Sequence, residues 1–297
     1  MLFLRKWSSN GIGCLWKTTT IPKILTNFWV TQQVGAGVSL FKSGASSIAT
    51  VTIPHHSTTI GIILRFSFPL RSGRLLERYK RFLADIMVGE EKLTLHCPNT
   101  GRMTGCAGAG WEVFYSTSDN PKRKYAHTWE LCRNDEGDFI CVNTGRANLL
   151  VAEALEARRI PALAGYERVS AEVRYGKENS RIDFLLSGQD LPDCYVEVKS
   201  VTLHEGEGDG FFPDTQSVRA QKHVRELIEC VHAGHRAVML FCVLHTGIER
   251  VSPAEHLDPK YAALVREAVA AGVECLAWKA SISPQGMTLT GPVPVEL

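Results

Sequence analysis

The sequence predicts two folded domains of different class, a small antiparallel β-barrel followed by an α/β domain, α+β overall. Three observations predict it. From Gly73 to Asn143, short apolar and β-branched runs recur with Gly, Asn, Asp and Pro between them, the texture of short strands joined by tight turns. Near Asn143 the apolar spacing becomes that of a helix, with Ala147, Leu149, Leu150, Ala154 and Leu155 supplying one face. Further on, Ala237 to Leu244 is apolar without interruption, as in a strand covered on both sides.

Leu75 to Leu83 opens the strand series, which continues through Leu93 to His96, Trp111 to Ser116, Thr128 to Cys132 and Phe139 to Asn143. Short strands at this spacing suit an OB-like barrel. Gly105 to Gly110 leads into a strand rather than a helix, so it is expected as a tight turn and not a phosphate loop. Asn143 and Thr144 can cap the first helix, which Pro161 ends. Ala171 to Tyr175 reads as a strand and Ser180 to Val201 as a hairpin turning through Gly188 to Asp193. The acidic glycine stretch Glu205 to Gly210 is expected as a mobile loop. A helix from Ser217 to Ala233, the buried strand 237–244, a helix from Pro259 to Ala271 and edge strands at Cys275 to Trp278 and Met287 to Leu289 complete the α/β domain. The expected limits are an extension over 1–65, the OB-like domain over 66–144 and the α/β domain over 145–297.

At 297 residues the chain can bury two ordinary cores. No apolar run approaches the length of a membrane helix, so no membrane partner is expected. Nine scattered cysteines with no Cys-x-x-Cys pair imply reduced thiols and a cytoplasmic protein. Cys230, His232 and His235 lack the second half of a zinc site and read as a solvated helix end. The net charge of +2 is uneven: residues 1–70 hold six basic and no acidic residues, leaving 27 basic against 31 acidic in the remainder. Nucleic-acid binding must therefore rest on local patches. The composition of residues 1–65 fits a transit peptide, a disordered tail, or translated upstream sequence from an early start codon. The last is preferred.

The hairpin carries the informative polar residues. Side chains alternate along a strand, so Glu197 and Lys199 share one face, and Asp183 on the partner strand can reach it. Burying three such charges is costly unless they bind one another or a metal ion. Both a structural ion pair and a metal site remain open on these residues alone. In the barrel, Arg78, Lys80 and Arg81 alternate with Tyr79 and Phe82, and Lys122, Arg123 and Lys124 precede Tyr125. Cations for phosphates beside rings for bases suit a single-strand groove; a solvated hairpin tip beside core aromatics fits equally.

The element order with Asp on the second strand and Glu-x-Lys on the third resembles the core of the PD-(D/E)xK nuclease superfamily. Longer stretches are similar to the bacterial sugar fermentation stimulation protein A family: His96 to Cys106, Tyr115 to Asn120, Lys122 to Tyr125, His127 to Leu131, Ser180 to Phe184, Cys194 to Leu203, Phe212 to Asp214 and Gln221 to His223. The similarity runs from Phe66 to Leu297. It implies an OB-like domain joined to a nuclease-like domain, DNA as partner, and a candidate role in regulating sugar, notably maltose, utilisation.

On that resemblance, Asp183 and Glu197 would hold Mg²⁺ or Mn²⁺, with Glu172 as a further ligand or a surface residue. Lys199 would orient the attacking water or offset phosphorane charge. Gln221 joins the catalytic set, and Lys222 is a phosphate contact; His223 reads as a polar helix start. Phe212-Pro213-Asp214 is expected to fix the loop above the site. The alternative is a DNA-binding regulator of the same fold without turnover. No helix-turn-helix suggests operator reading, and no phosphate loop, dinucleotide fingerprint or nucleophile elbow supports a small-molecule enzyme. Oligomeric state is not set by the sequence.

Overall fold

The computed structural model describes Leu64, Phe66 and residues 69–177 and 180–297. Apart from Leu64, which pairs with Met287, the extension expected over 1–65 lies outside the described residues.

Five strands close the barrel: β1 (Arg71–Tyr79), β2 (Leu83–Val88), β3 (Glu91–His96), β4 (Glu112–Thr117) and β5 (His127–Arg133). They run in the order β3-β2-β1-β4-β5, and a parallel pairing of His96 with Thr128 joins β3 back to β5. Inward-facing Leu75, Ile86, Leu95, Val113 and Trp129 fill the interior, and the Trp129 indole N–H, too deep for water, donates to the Leu131 carbonyl at 2.9 Å. The expected strand Leu75 to Leu83 is corrected: it straddles a turn, because Lys80 and Arg81 both take left-handed backbone, with φ of 49° and 66°. Neither residue signals a turn, which is why β1 and β2 read as one strand. The short β6 (Phe139–Cys141) lies outside the five and pairs with β5.

The α/β domain is built on a six-stranded sheet, order β15-β14-β12-β9-β8-β7, from β7 (Arg168–Tyr175), β8 (Ser180–Gly188), β9 (Leu191–Val201), β12 (Arg236–Val243), β14 (Glu274–Ser283) and β15 (Gly286–Val293). Strand β12 is parallel to β9 and β14 and is apolar on both faces. Helix α1 (Gly145–Glu156) packs Leu150, Val151 and Ala154 on one face of the sheet, against Phe184, Val196 and Leu240. Helices α2 (Val218–His232) and α3 (Pro259–Ala271) cover the other through Val224, Leu227 and Val265. The glycine stretch expected as a mobile loop is instead partly strand: β10 (Leu203–His204) turns into β11 (Asp209–Phe212), which runs parallel to β13 (Arg250–Pro253). Gly210 permits this, since a Cβ there would lie 2.5 Å from Ile248 Cγ2.

Barrel and α/β domain share their seam. Phe114, Leu131 and Cys141 enter the core that α1 builds, and the Cys141 N–H donates to the Leu244 carbonyl at 2.9 Å. Glu130 of β5, buried, accepts both arms of the Arg146 guanidinium at 3.0 Å, Asn143 Nδ2 at 2.8 Å and Ser116 Oγ at 2.7 Å. Four donors on one carboxylate satisfy a charge that would otherwise oppose burial. The eight cysteines among the described residues are free thiols, and none of the described helices is long and apolar enough to cross a membrane.

Candidate functional site

The site forms where two strands part. Strands β8 and β9 pair from Phe184 opposite Val196 to Gly188 opposite Leu191, and beyond Val196 β9 pairs only with β12. The Val198 N–H thereby lacks a strand partner, and Asp183 Oδ2 accepts it at 2.7 Å. Asp183 Oδ1 accepts Asn148 Nδ2, from α1, at 2.7 Å. Alternation then sorts β9: Val196 and Val198 join the α1 core, while Glu197 and Lys199 face α2.

Glu197 and Lys199 are only 3% and 7% exposed. Lys199 Nζ donates to Glu197 Oε1 at 2.7 Å, and His223 Nδ1, from the second turn of α2, pairs with the same oxygen. Glu197 Oε2 is buried without a hydrogen-bond partner. Burial pushes the Glu197 carboxyl upward, but His223 and Lys199 outweigh it and hold the group below the usual carboxylate range. Asp183 goes the other way: burial first, then the Glu197 charge, raise it despite Val198 N–H, Asn148 and Lys199. Two carboxylates that repel one another, one with an unused buried oxygen, are a donor set that a hard divalent cation would satisfy.

These groups floor a cleft of about 690 Å³ whose walls carry Glu172, Arg181, Arg219 and Lys222. Helix α2 brings Arg219, Lys222 and His223 there because Ser217 caps its start, accepting the Ala220 N–H at 3.1 Å. Glu172 lines the cleft from β7 with left-handed backbone, φ 56°, and its half-exposed carboxylate stands 3.8 Å from Arg181.

Several expected site residues go elsewhere. Gln221 does not line the cleft: its carboxamide donates to both oxygens of Asp258, at 2.9 and 3.1 Å, bracing α2 against the cap of α3. Arg78 donates through Nη2 to the carbonyls of Arg81, Asn99 and Gly101 at 2.7 to 3.0 Å, which ties its side chain to the 98–103 loop, and its Nε is buried without a hydrogen-bond partner. Lys80 and Arg81 sit exposed in the β1–β2 turn, and Arg81 Nε donates to the Thr100 carbonyl at 3.0 Å. Lys122, Arg123 and Lys124 are exposed on the β4–β5 loop, with Arg123 donating to Thr128 Oγ1 at 3.0 Å and Lys124 Nζ 5.7 Å from the Tyr125 ring centroid; none of these lines the cleft. Asp214 lines it but accepts the Met103 N–H at 2.9 Å, tying the barrel loop to the cleft rim.

The sequence pattern alone passes over His223 and Asn148. A signal for His223 is present: Ala220, His223, Val224 and Leu227 form one buried stripe, whereas Gln221 lies about 200° from His223 around the helix. Asn148 carries no signal beyond its place in α1.

Family models match most of the chain. One, described as the sugar fermentation stimulation protein RE domain, covers residues 145–286, and another, described as the SfsA N-terminal OB domain, covers 76–142. Among solved structures, that of Pyrococcus furiosus SfsA in complex with Ca²⁺ matches with a TM-score of 0.72 at 27% identity, over 79% of this chain and 99% of that one.

Proposed function

The chain belongs to the sugar fermentation stimulation protein family, and from that premise we propose that its cleft is a Mg²⁺- or Mn²⁺-dependent phosphodiester-hydrolysing site acting on DNA. The observation that carries the reading is the Asp183–Glu197 pair: two acids in one cleft, Asp183 raised by burial and then by the Glu197 charge, with Glu197 Oε2 buried and unpartnered. Asp183 and Glu197 would hold the cation, with Glu172 on the wall as a candidate third oxygen donor. That the Pyrococcus furiosus relative forms a complex with Ca²⁺ supports an all-oxygen site for a hard ion. A cation so held supplies Lewis-acid polarisation of phosphate and an acidified water.

The remaining roles belong to this chain's own side chains. Lys199, placed by its bond to Glu197 Oε1, offers an ammonium to charge developing on phosphate. His223 shares that oxygen and fixes the rotamer of Glu197. Arg181, Arg219 and Lys222 on the walls suit the backbone of a nucleic acid entering the cleft. Cleavage of single- and double-stranded DNA and RNA with Mg²⁺ or Mn²⁺ tests the reading. Parent protein should cut DNA while Asp183→Ala and Lys199→Ala should not; absence of metal-dependent cutting on every substrate refutes it.

One observation favours a second reading. Glu197 Oε1 is engaged by both Lys199 and His223, an arrangement that also serves as a closed structural ion pair. A DNA-binding regulator without turnover would keep its affinity in Glu197→Ala and lose it steeply with salt.

A further inference from the structure

We propose that Asp138, His204 and His245 form a second metal site, for one divalent transition ion of the Zn²⁺ class, at the seam between barrel and α/β domain. The three come from distant segments: the turn before β6, the end of β10 and the residue two beyond β12. One ligand atom from each lies within 4.8 Å of the others.

Four features prepare the place. His204 Nε2 is buried with no hydrogen-bond partner, a lone pair or N–H that folding has taken from water without replacement. The two imidazoles lie side by side with centroids 4.8 Å apart and planes tilted by 42°. Thr246 Oγ1 donates to Asp138 Oδ1 at 2.8 Å, fixing the carboxylate and leaving Oδ2 toward the cluster, the outer support that metal-binding carboxylates carry. Gly247 keeps the space open: a Cβ there would lie 2.5 Å from Asp138 Oδ2 and 3.2 Å from His245 Cε1.

The donor set selects the ion. Two imidazoles and one carboxylate suit Zn²⁺, Co²⁺ or Ni²⁺, whereas Mg²⁺ and Ca²⁺ prefer oxygen, as in the cleft. His245 is 2% exposed. It accepts the Gly247 N–H on Nδ1 at 3.0 Å. Ligation through either ring nitrogen gives up that hydrogen bond for a coordinate bond, since binding at Nδ1 uses its lone pair and binding at Nε2 places the ring proton on Nδ1. Ligands around a tetrahedral ion with bonds of about 2.0–2.1 Å sit about 3.4 Å apart, so the cluster closes by roughly an ångström on binding, with water as fourth ligand.

The occupied site would staple the two domains. Around it, Phe139 N–H donates to Thr246 Oγ1 and Thr246 N–H to the Phe139 carbonyl, both at 3.0 Å, so the ligands ride on segments already paired across the seam.

The test uses the full chain, stripped with a chelator and titrated with Co²⁺, read by the intense visible absorption of a low-coordinate nitrogen-ligated ion, with Zn²⁺ competition. Parent and the cleft variant Asp183→Asn/Glu197→Gln should each bind one equivalent with that signature, displaced by Zn²⁺. His204→Ala should lose it, and Asp138→Asn, which keeps volume and the Thr246 acceptor, should weaken it at least tenfold. Should His204→Ala fail to fold, Asp138→Asn alone decides. The proposal is overturned if the parent shows no such band, if the band survives intact in Asp138→Asn, or if it disappears in the cleft variant.

Discussion

Replacing Asp183 by Asn and by Ala should separate its structural work from its charge. Its two oxygens accept Val198 N–H and Asn148 Nδ2, each at 2.7 Å. Ala removes both acceptors and leaves two part-buried donors, at about 1–3 kcal/mol each, so Asp183→Ala should lose roughly 2–6 kcal/mol of stability. Asn retains an oxygen for Val198, and Asn148 can rotate its amide to meet the new NH₂. Because the folded carboxyl titrates above its ordinary value of 3.8, its ionised form is disfavoured in the fold. That penalty is complete above the raised pKa and absent below 3.8. Asp183→Asn should therefore match or exceed the parent in metal-free urea unfolding at pH 7 and lose the advantage on acidification. Its Mn²⁺ affinity should fall at least about a thousandfold, since even two unit charges about 4 Å apart interact by ~4 kcal/mol at an effective dielectric of about 20, and Mn²⁺ carries two. Calorimetric titration with Mn²⁺ and urea midpoints read both arms. Parent-like Mn²⁺ affinity in Asp183→Asn, or an Asp183→Ala as stable as parent, would refute the reasoning.

Mn²⁺ affinity of the parent should fall on acidification starting at pH values above the usual aspartate range, following the raised Asp183 pKa, and an affinity flat down to pH 4 would contradict it. Glu130→Ala strands Arg146 and should cost about 3–5 kcal/mol by denaturant unfolding; a loss under about 1 kcal/mol would show that the seam does not depend on this clasp. Charge reversal at Lys122, Arg123 and Lys124 should lower DNA affinity and flatten its salt dependence, whereas Arg78→Ala should lower thermal stability with the salt slope unchanged. If Arg78→Ala alters the slope as strongly as the triple reversal, its assignment to the loop carbonyls is incomplete.

What is legible in the sequence has a local cause. Helix α3 reads off directly from Asp258 as cap, Pro259 at the first position and Gly272 in left-handed backbone after the end. Strand β12 shows itself by unbroken apolarity, and the Asp183, Glu197 and Lys199 grouping by strand alternation. The illegible parts depend on distant partners or on backbone that side chains do not announce. Lys80 and Arg81 turn left-handed with neither Gly nor Asn. Strand β11 exists because β13, some forty residues later, lies beside it in parallel. Gln221 outranks His223 only when polar type is weighed and helix rotation is not. Asp138, His204 and His245 are brought together only by tertiary contact.

The bond from Met103 N–H to Asp214 and the Arg78 bonds to the same loop have a consequence for measurement of length. They fasten a barrel loop to the rim of the acid cleft, so barrel and cleft cannot slide independently. A strand held by the barrel would meet Asp183 and Glu197 at a constant nucleotide offset, and the products of a gripped end would be of one size rather than a ladder.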